Sequence, residues 1–161
     1  MSTTDGPAGA DRGARVRVPP PLLYLVPLLA SWLLDRVLPA PLHLGVVRWP
    51  LGLGMLAAGL GLMGWATREF RRAQTTLLPW GSVAALARTG PYRFSRNPIY
   101  LGDALAYAGA AVLIDTAWAL VALPVVLVAT YRLVIRHEEA YLAGRFGPGY
   151  AAYRRRVRRW L

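Results

Sequence analysis

Four apolar runs separated by arginine clusters constrain this chain more than any other feature. They are Pro20 to Val37, Trp49 to Thr67, Ile99 to Ile114 and Trp118 to Ile135. The second carries no charge, the third holds Asp103, and the fourth holds Arg132 close to its end. A helix needs roughly 17–25 mostly apolar residues to cross a bilayer. The first, second and fourth runs are long enough, and the third crosses if it starts within the interface. Backbone groups in lipid must be satisfied inside the protein, which leaves helices and closed barrels. None of the runs alternates as a barrel strand does. The expected fold is all-α: a polytopic membrane protein of about four transmembrane helices, with short amphipathic helices at its C-terminus.

The arginines set the expected orientation. All nineteen basic residues are arginine. Seventeen fall in the N-terminal tail, in the connection between the second and third runs, or from Arg132 onward; only Arg36 and Arg48 fall on the other side. Basic residues accumulate in cytoplasmic loops, so both termini are expected in the cytoplasm. The Arg68–Arg96 connection and the segment from His137 onward then share that face. They are the only polar stretches large enough to build a site together. With 55% hydrophobic residues, 17% charged and a net charge of +11, the chain departs from soluble domains, which have about 45–50% apolar and about 25% charged residues.

A length of 161 residues suits one domain. Residues 1–18 read as a flexible basic tail with Arg12, Arg15 and Arg17, and residues 19–161 as the membrane domain. The tail and first run resemble the start of a secretory signal without its small-residue cleavage site, so the run is read as a retained span. The absence of cysteine excludes disulfides, thiolate metal sites and cysteine nucleophiles. His137 has no second histidine at helical spacing, so no metal site is expected.

Glycines in the second run read as helix-packing positions, with Gly54-xxx-Ala58 and Ala57-xxx-Gly61 as the expected small-residue pairs. Asp115-Thr116 reads as a tight turn between the third and fourth helices. In Gly90-Pro-Tyr-Arg-Phe-Ser-Arg-Asn-Pro-Ile-Tyr100, Asn97 suits a helix N-cap and Pro98 the first helical position. A helix start offers free N–H groups and partial positive charge. The stretch therefore suits either a capped interfacial helix or a cofactor cradle. Asp103, ionisable within an apolar run, flags function by default, yet it also suits the first turns of a helix electrostatically. Arg132 and Arg136 share a helix face and suit either an anionic substrate or snorkelling to the interface; Glu138 and Glu139 follow. Beyond them, Leu142, Phe146, Tyr150, Tyr153, Val157 and Trp160 recur at helical spacing among Arg154 to Arg159, as expected of a basic amphipathic tail on anionic lipid. Gly147-Pro148 is expected to split this tail into two helices. The topology rule accounts for the arginines, so no nucleic-acid partner is expected, and no protein partner either.

Two of these segments together resemble a known family. Gly90-Pro-Tyr-Arg-x-x-Arg-Asn-Pro-x-Tyr100 resembles the Arg-His/Asn-Pro-x-Tyr motif of the isoprenylcysteine carboxyl methyltransferase and phospholipid methyltransferase superfamily. Glu138-Glu139-x-x-Leu142-x-x-x-Phe146-Gly147-x-x-Tyr150-x-x-Tyr153 resembles its C-terminal signature. The resemblance spans roughly Phe70 to Trp160, including Thr75, Thr76 and Pro79. It implies an integral-membrane methyltransferase that uses S-adenosylmethionine and acts on a lipophilic, lipid or prenylated acceptor, carboxylate or amine. Carried over by position, it implies cofactor contacts from Leu86, Ala87, Tyr92, Asn97, Pro98, Ile99, Tyr100 and Glu138, and catalytic roles for Arg132, Arg136 and Glu139. Val134 stands where the carboxyl methyltransferases place a substrate-facing arginine. Asn97 stands where better-known members have histidine and cannot titrate. The competing expectations are a steroid 5α-reductase-like membrane reductase using NADPH, and a non-enzymatic membrane scaffold.

Overall fold

The computed structural model describes residues 18–72 and 86–161. The basic tail and the Thr75, Thr76 and Pro79 stretch lie outside them. Among the described residues the chain is helical, with one isolated bridge between Ser95 and Arg158 in place of a sheet. Helix α1 spans Pro20–Val37, α2 Arg48–Arg72, α3 Pro98–Leu113 and α4 Ala117–Thr130. A π turn, Tyr131–Ile135, continues α4 into α5, Arg136–Arg156. All four apolar runs become helices. Two continuous helical stretches, Gly45–Arg72 and Ala117–Arg156, are long and apolar enough to cross a membrane, and Pro98–Leu113 is a shorter apolar helix.

Helices α2 and α3 make the closest pair, and glycine permits it. A Cβ on Gly59 would stand 2.6 Å from Gly102 O and from Ala106 N; one on Gly109 would stand 2.8 Å from Gly52 O. The two backbones therefore touch at Gly59/Gly102 and again at Gly52/Gly109. Gly54 and Gly61 meet nothing within 4 Å, which corrects the expected pairs. Gly52 and Gly59 lie seven residues apart and so return to one helix face after two turns. The opposite face of α3 carries Tyr107, Ala104 and Ala111, which pack with Tyr24 of α1 and with Ala119 and Val126 of α4. Small residues bring α3 close to α2, while aromatic and branched ones fill the other side.

The α3–α4 turn forms at Asp115, which takes a left-handed φ of 57°. Helix α5 breaks at Gly147 (φ 46°, ψ −121°) just before Pro148, as the sequence implied. Beyond Arg156 the chain turns extended and folds back on the loop ahead of α3: Arg96 N donates to Arg158 O at 3.0 Å, and Ser95 Oγ to Arg159 O at 3.2 Å. This C-terminal strap, residues 157–161, replaces part of the expected surface-lying tail.

Candidate active site

Where α2 ends, the chain returns through a turn pressed onto it. Gly90 takes φ +57°, and a Cβ there would lie 2.6 Å from Glu69 Cγ and 2.9 Å from Trp65 Nε1. Both the left-handed backbone and the close approach require glycine. Glu69 is buried and fully used, accepting from Thr89 Oγ1 at 2.7 Å and from Arg72 Nη1 at 3.0 Å. The following Gly90–Arg93 turn drives Pro91 and Tyr92 inward. The Tyr92 ring rests on Phe70 with centroids 5.0 Å apart, and its carbonyl accepts from Tyr153 Oη at 2.7 Å. Ala87 and Ile99 pack beside Tyr92, and Leu86 packs against Tyr150, Tyr153 and Val157.

Helix α3 starts at Pro98, as the sequence implied, but Asn97 makes no side-chain cap bond. Its Nδ2 donates instead to Arg159 O at 3.1 Å, and its backbone N–H donates to Ser95 Oγ at 3.1 Å. The strap competes for the amide and wins. One turn into α3, Tyr100 Oη donates to Glu138 Oε1 at 2.6 Å. The two motifs, 38 residues apart, thus meet at one hydrogen bond. Among the described residues, Glu138 has no ion-pair partner.

Burial is the main reason the Glu138 carboxyl is pushed up to about 7; the Tyr100 hydroxyl pulls it down and the neighbouring Glu139 charge raises it. Glu138 lies beyond the apolar run that ends at Ile135. Burial likewise pushes the Tyr92 and Tyr153 hydroxyls up, so both remain neutral donors.

Glu139 is occupied in a different way. Arg159 grips it through Nε to Oε1 at 3.1 Å and Nη2 to Oε2 at 2.9 Å, and Arg96 Nη1 lies 3.2 Å from Oε1. Hydrogen bonding to Glu139 raises the Arg159 guanidinium above its ordinary range. Arg159 also stacks on Tyr131 at 4.6 Å. Arg96 Nε is buried without a hydrogen-bond partner, so this guanidinium keeps an unused donor just ahead of α3. Arg132 and Arg136 are exposed. Val134 and Ile135 are fully buried against Tyr100.

The expected cofactor residues Leu86, Ala87, Tyr92, Asn97, Pro98, Ile99, Tyr100 and Glu138 thus gather at one end of the helices. Arg132 and Arg136 stand apart from them, and Glu139 is bound in an ion cluster. Arg96, Ser95 and Arg159 were not among the expected site residues. Arg96 lies inside the quoted motif but reads from sequence as one more topology charge. Arg159, 20 residues from Glu139, has no periodicity that would connect them.

Residues 47–149 match the phospholipid methyltransferase family. The chain belongs to that family. No individually curated protein is similar enough to add a relative to this match. The match places the chain in the isoprenylcysteine carboxyl methyltransferase and phospholipid methyltransferase superfamily and identifies it broadly as a membrane methyltransferase. It takes in α2, the Gly90–Tyr100 loop, α3, α4 and α5 as far as the Gly147 break. Within this phospholipid methyltransferase family member, α1 and the strap that holds Asn97 and Glu139 lie outside the matched region.

Proposed function

We propose that this protein transfers a methyl group from S-adenosylmethionine to a lipophilic acceptor at the cytoplasmic boundary of a membrane. Four spans carry the site, with α1 and α3 as the two shorter ones and both termini cytoplasmic. The arginine asymmetry supports this orientation; α3 packs against both α2 and α4, and α1 packs against α4.

The observation that carries the reading is the 2.6 Å contact between Tyr100 and Glu138. A buried carboxylate costs free energy unless it is paired. Glu138 has one hydroxyl as partner and no cation, so it suits a ligand that brings its own donors or positive charge. The residues present fit S-adenosylmethionine on this ground. Glu138 would accept from the ribose hydroxyls or the ammonium. The unpartnered Arg96 Nε would donate to the carboxylate, as guanidinium groups favour. Tyr92, Ile99 and Ala87 would form an apolar floor. When bound, the cofactor supplies a methyl group on a sulfonium, transferred by in-line displacement.

The protein's own part is positioning and exclusion of water, which can supply several kcal/mol of the barrier. Tyr100 fixes the direction of Glu138. Glu139 acts as a positioning residue rather than a catalytic one: pinned by Arg159, it fixes the rotation of α5, and so the direction of the adjacent Glu138. Arg132 and Arg136 face outward, where they suit lipid phosphate better than the reacting atoms. Titration of the full chain in detergent with S-adenosylmethionine and, separately, with NADPH tests the reading. Saturable binding of the first and not the second is expected. NADPH binding alone would move the chain to reductase chemistry, and binding of neither would leave a scaffold.

A further inference from the structure

The strap that follows α5 turns two faces in opposite directions. Its inner face holds the site. Arg159 pairs with Glu139 and stacks on Tyr131, and its carbonyl accepts from Ser95 Oγ and Asn97 Nδ2. Trp160 packs against the cluster of Tyr100, Val134 and Ile135. Arg158 is exposed on the outer face, because neighbouring side chains of an extended segment point to opposite sides. The bridge between Ser95 and Arg158 sets the end of α5 beside the loop ahead of α3.

The surface so joined is basic and uncompensated. Residues 93–96 and 154–159 hold seven arginines and no carboxylate. Arg96 and Arg159 meet Glu139. The other five, Arg93, Arg154, Arg155, Arg156 and Arg158, are exposed, and among the described residues none of them forms an ion pair. Large apolar side chains stand among them: Phe94 is 63% exposed and Leu161 73%. Basic and apolar groups on one surface suit the headgroup boundary of an anionic bilayer, which takes both. A soluble polyanion would leave Phe94 and Leu161 in water. Laying the strap on the loop also crowds like charges, a cost that a counter-charge removes.

We propose that this surface docks on anionic lipid headgroups and that docking holds the strap closed, so that the charge of the bilayer tunes the cofactor seat. The coupling rests on the methyltransferase reading and adds its regulation. A ligand shifts an equilibrium only through a difference in affinity between two states. Here the difference is geometric: Arg93 and Phe94 share one surface with Arg158 only while the strap lies on the loop. An anionic surface that engages both segments favours the latched form. That form holds Asn97, Glu139 and the Tyr100 cluster together, and with them the direction of Glu138.

Affinity for S-adenosylmethionine is measured on the full chain in phosphatidylcholine nanodiscs, with and without phosphatidylglycerol. Phosphatidylglycerol is expected to raise it about tenfold, within the usual range for coupled sites, and high salt to erase the gain. The Arg96 amide, which donates to Arg158 O, should exchange with solvent more slowly in the anionic discs even without cofactor. A variant carrying Arg154→Gln, Arg155→Gln and Arg156→Gln should keep the affinity seen in phosphatidylcholine and lose the gain. S-adenosylmethionine carries net positive charge and gathers at any anionic surface, so a gain that persists in this variant overturns the proposal. So does a variant whose affinity also falls in phosphatidylcholine, since the arginines then support the fold. A gain reproduced by inorganic phosphate in phosphatidylcholine discs overturns it in favour of a soluble anion. Ordinary S-adenosylmethionine binding with no gain removes the docking surface and leaves the methyltransferase reading intact. No binding in either disc, with the Arg96 amide still protected by phosphatidylglycerol, removes that reading and leaves the surface.

Discussion

The two ends of the helical bundle use carboxylates in opposite ways. At the end away from the site, Asp35 Oδ1 accepts from Ala40 N at 3.0 Å and from Thr116 Oγ1 at 2.9 Å. Asp115 accepts from Leu42 N at 3.1 Å and from Arg48 Nη1 at 3.2 Å. Ala117 N donates to Ala40 O at 2.8 Å, and Trp118 Nε1 to Leu38 O at 2.7 Å. Every carboxylate there is spent on tying the α1–α2 loop to the α3–α4 turn. At the other end Glu69 and Glu139 are similarly consumed, but Glu138 keeps one hydroxyl partner alone. Saturated carboxylates hold helices in register; an under-saturated one holds capacity for a ligand. On the proposed reading the contrast is between stability and binding, built from the same residue type.

The sharpest way to break this contrast is to exchange a carboxylate for its amide at each end. Glu138→Gln should weaken S-adenosylmethionine binding by tens of fold, as expected for a lost contact to a charged group, with little change in thermal stability. Asp35→Asn should do the reverse, lowering the unfolding midpoint and sparing affinity. Calorimetric binding and a thermal melt on both variants decide it. If both variants lose the same property, the division of labour is wrong.

Next in size is the helix pair on which the site stands. Gly59→Ala forces a Cβ into the α3 backbone and should cost about 1–3 kcal/mol, the usual range for overpacking. Gly61→Ala, facing open space, should be neutral or slightly stabilising in a helix. Denaturation of the two variants side by side reads the difference. Equal melting points would show that the α2–α3 contact is not at Gly59.

The pH dependence sharpens the assignment of Glu138. With its carboxyl pushed up to about 7, affinity for a cationic ligand should fall about tenfold between pH 8 and pH 6 as the group protonates. Glu138→Gln should flatten that slope. The sign for folding is opposite. A carboxyl raised in the folded state stabilises it fully below its ordinary pKa and loses that contribution as pH rises through about 7. Smallest of all, Arg48→Gln removes a partly exposed ion pair and should cost at most about 1 kcal/mol, seen in the melt and absent from the binding curve.

Much of this was legible in the residues. Apolar run lengths gave the helices, Pro98 the start of α3, Asp115-Thr116 the turn and Gly147-Pro148 the break in α5, because each is a local backbone effect. The meeting of the Gly90–Tyr100 and Glu138 segments agrees with the single face on which the arginine distribution is expected to put them. What stayed hidden is non-local. The Arg159 grip on Glu139 and the Asn97 bond to Arg159 O join residues 20 and 62 apart, which no periodicity reports. The π turn at Tyr131–Ile135 leaves no mark in the residue pattern. By adding a residue to the turn it rotates all that follows by about 100°, so α-helical spacing does not describe how Arg132 relates to Glu138. The Gly52–Gly59 face was obscured by the surplus of glycines in α2, several of which touch nothing.

The central claim, that Glu138 and the start of α3 form one cofactor seat, is tested most directly by photocrosslinking. Methyl-labelled S-adenosylmethionine is irradiated with the full-length protein and the adducts are mapped by peptide mass spectrometry. The account predicts label in peptides covering Tyr92–Tyr100 and Glu138, competed away by unlabelled cofactor. Competable label confined to the Asp35–Arg48 end, or none at either end, would contradict it.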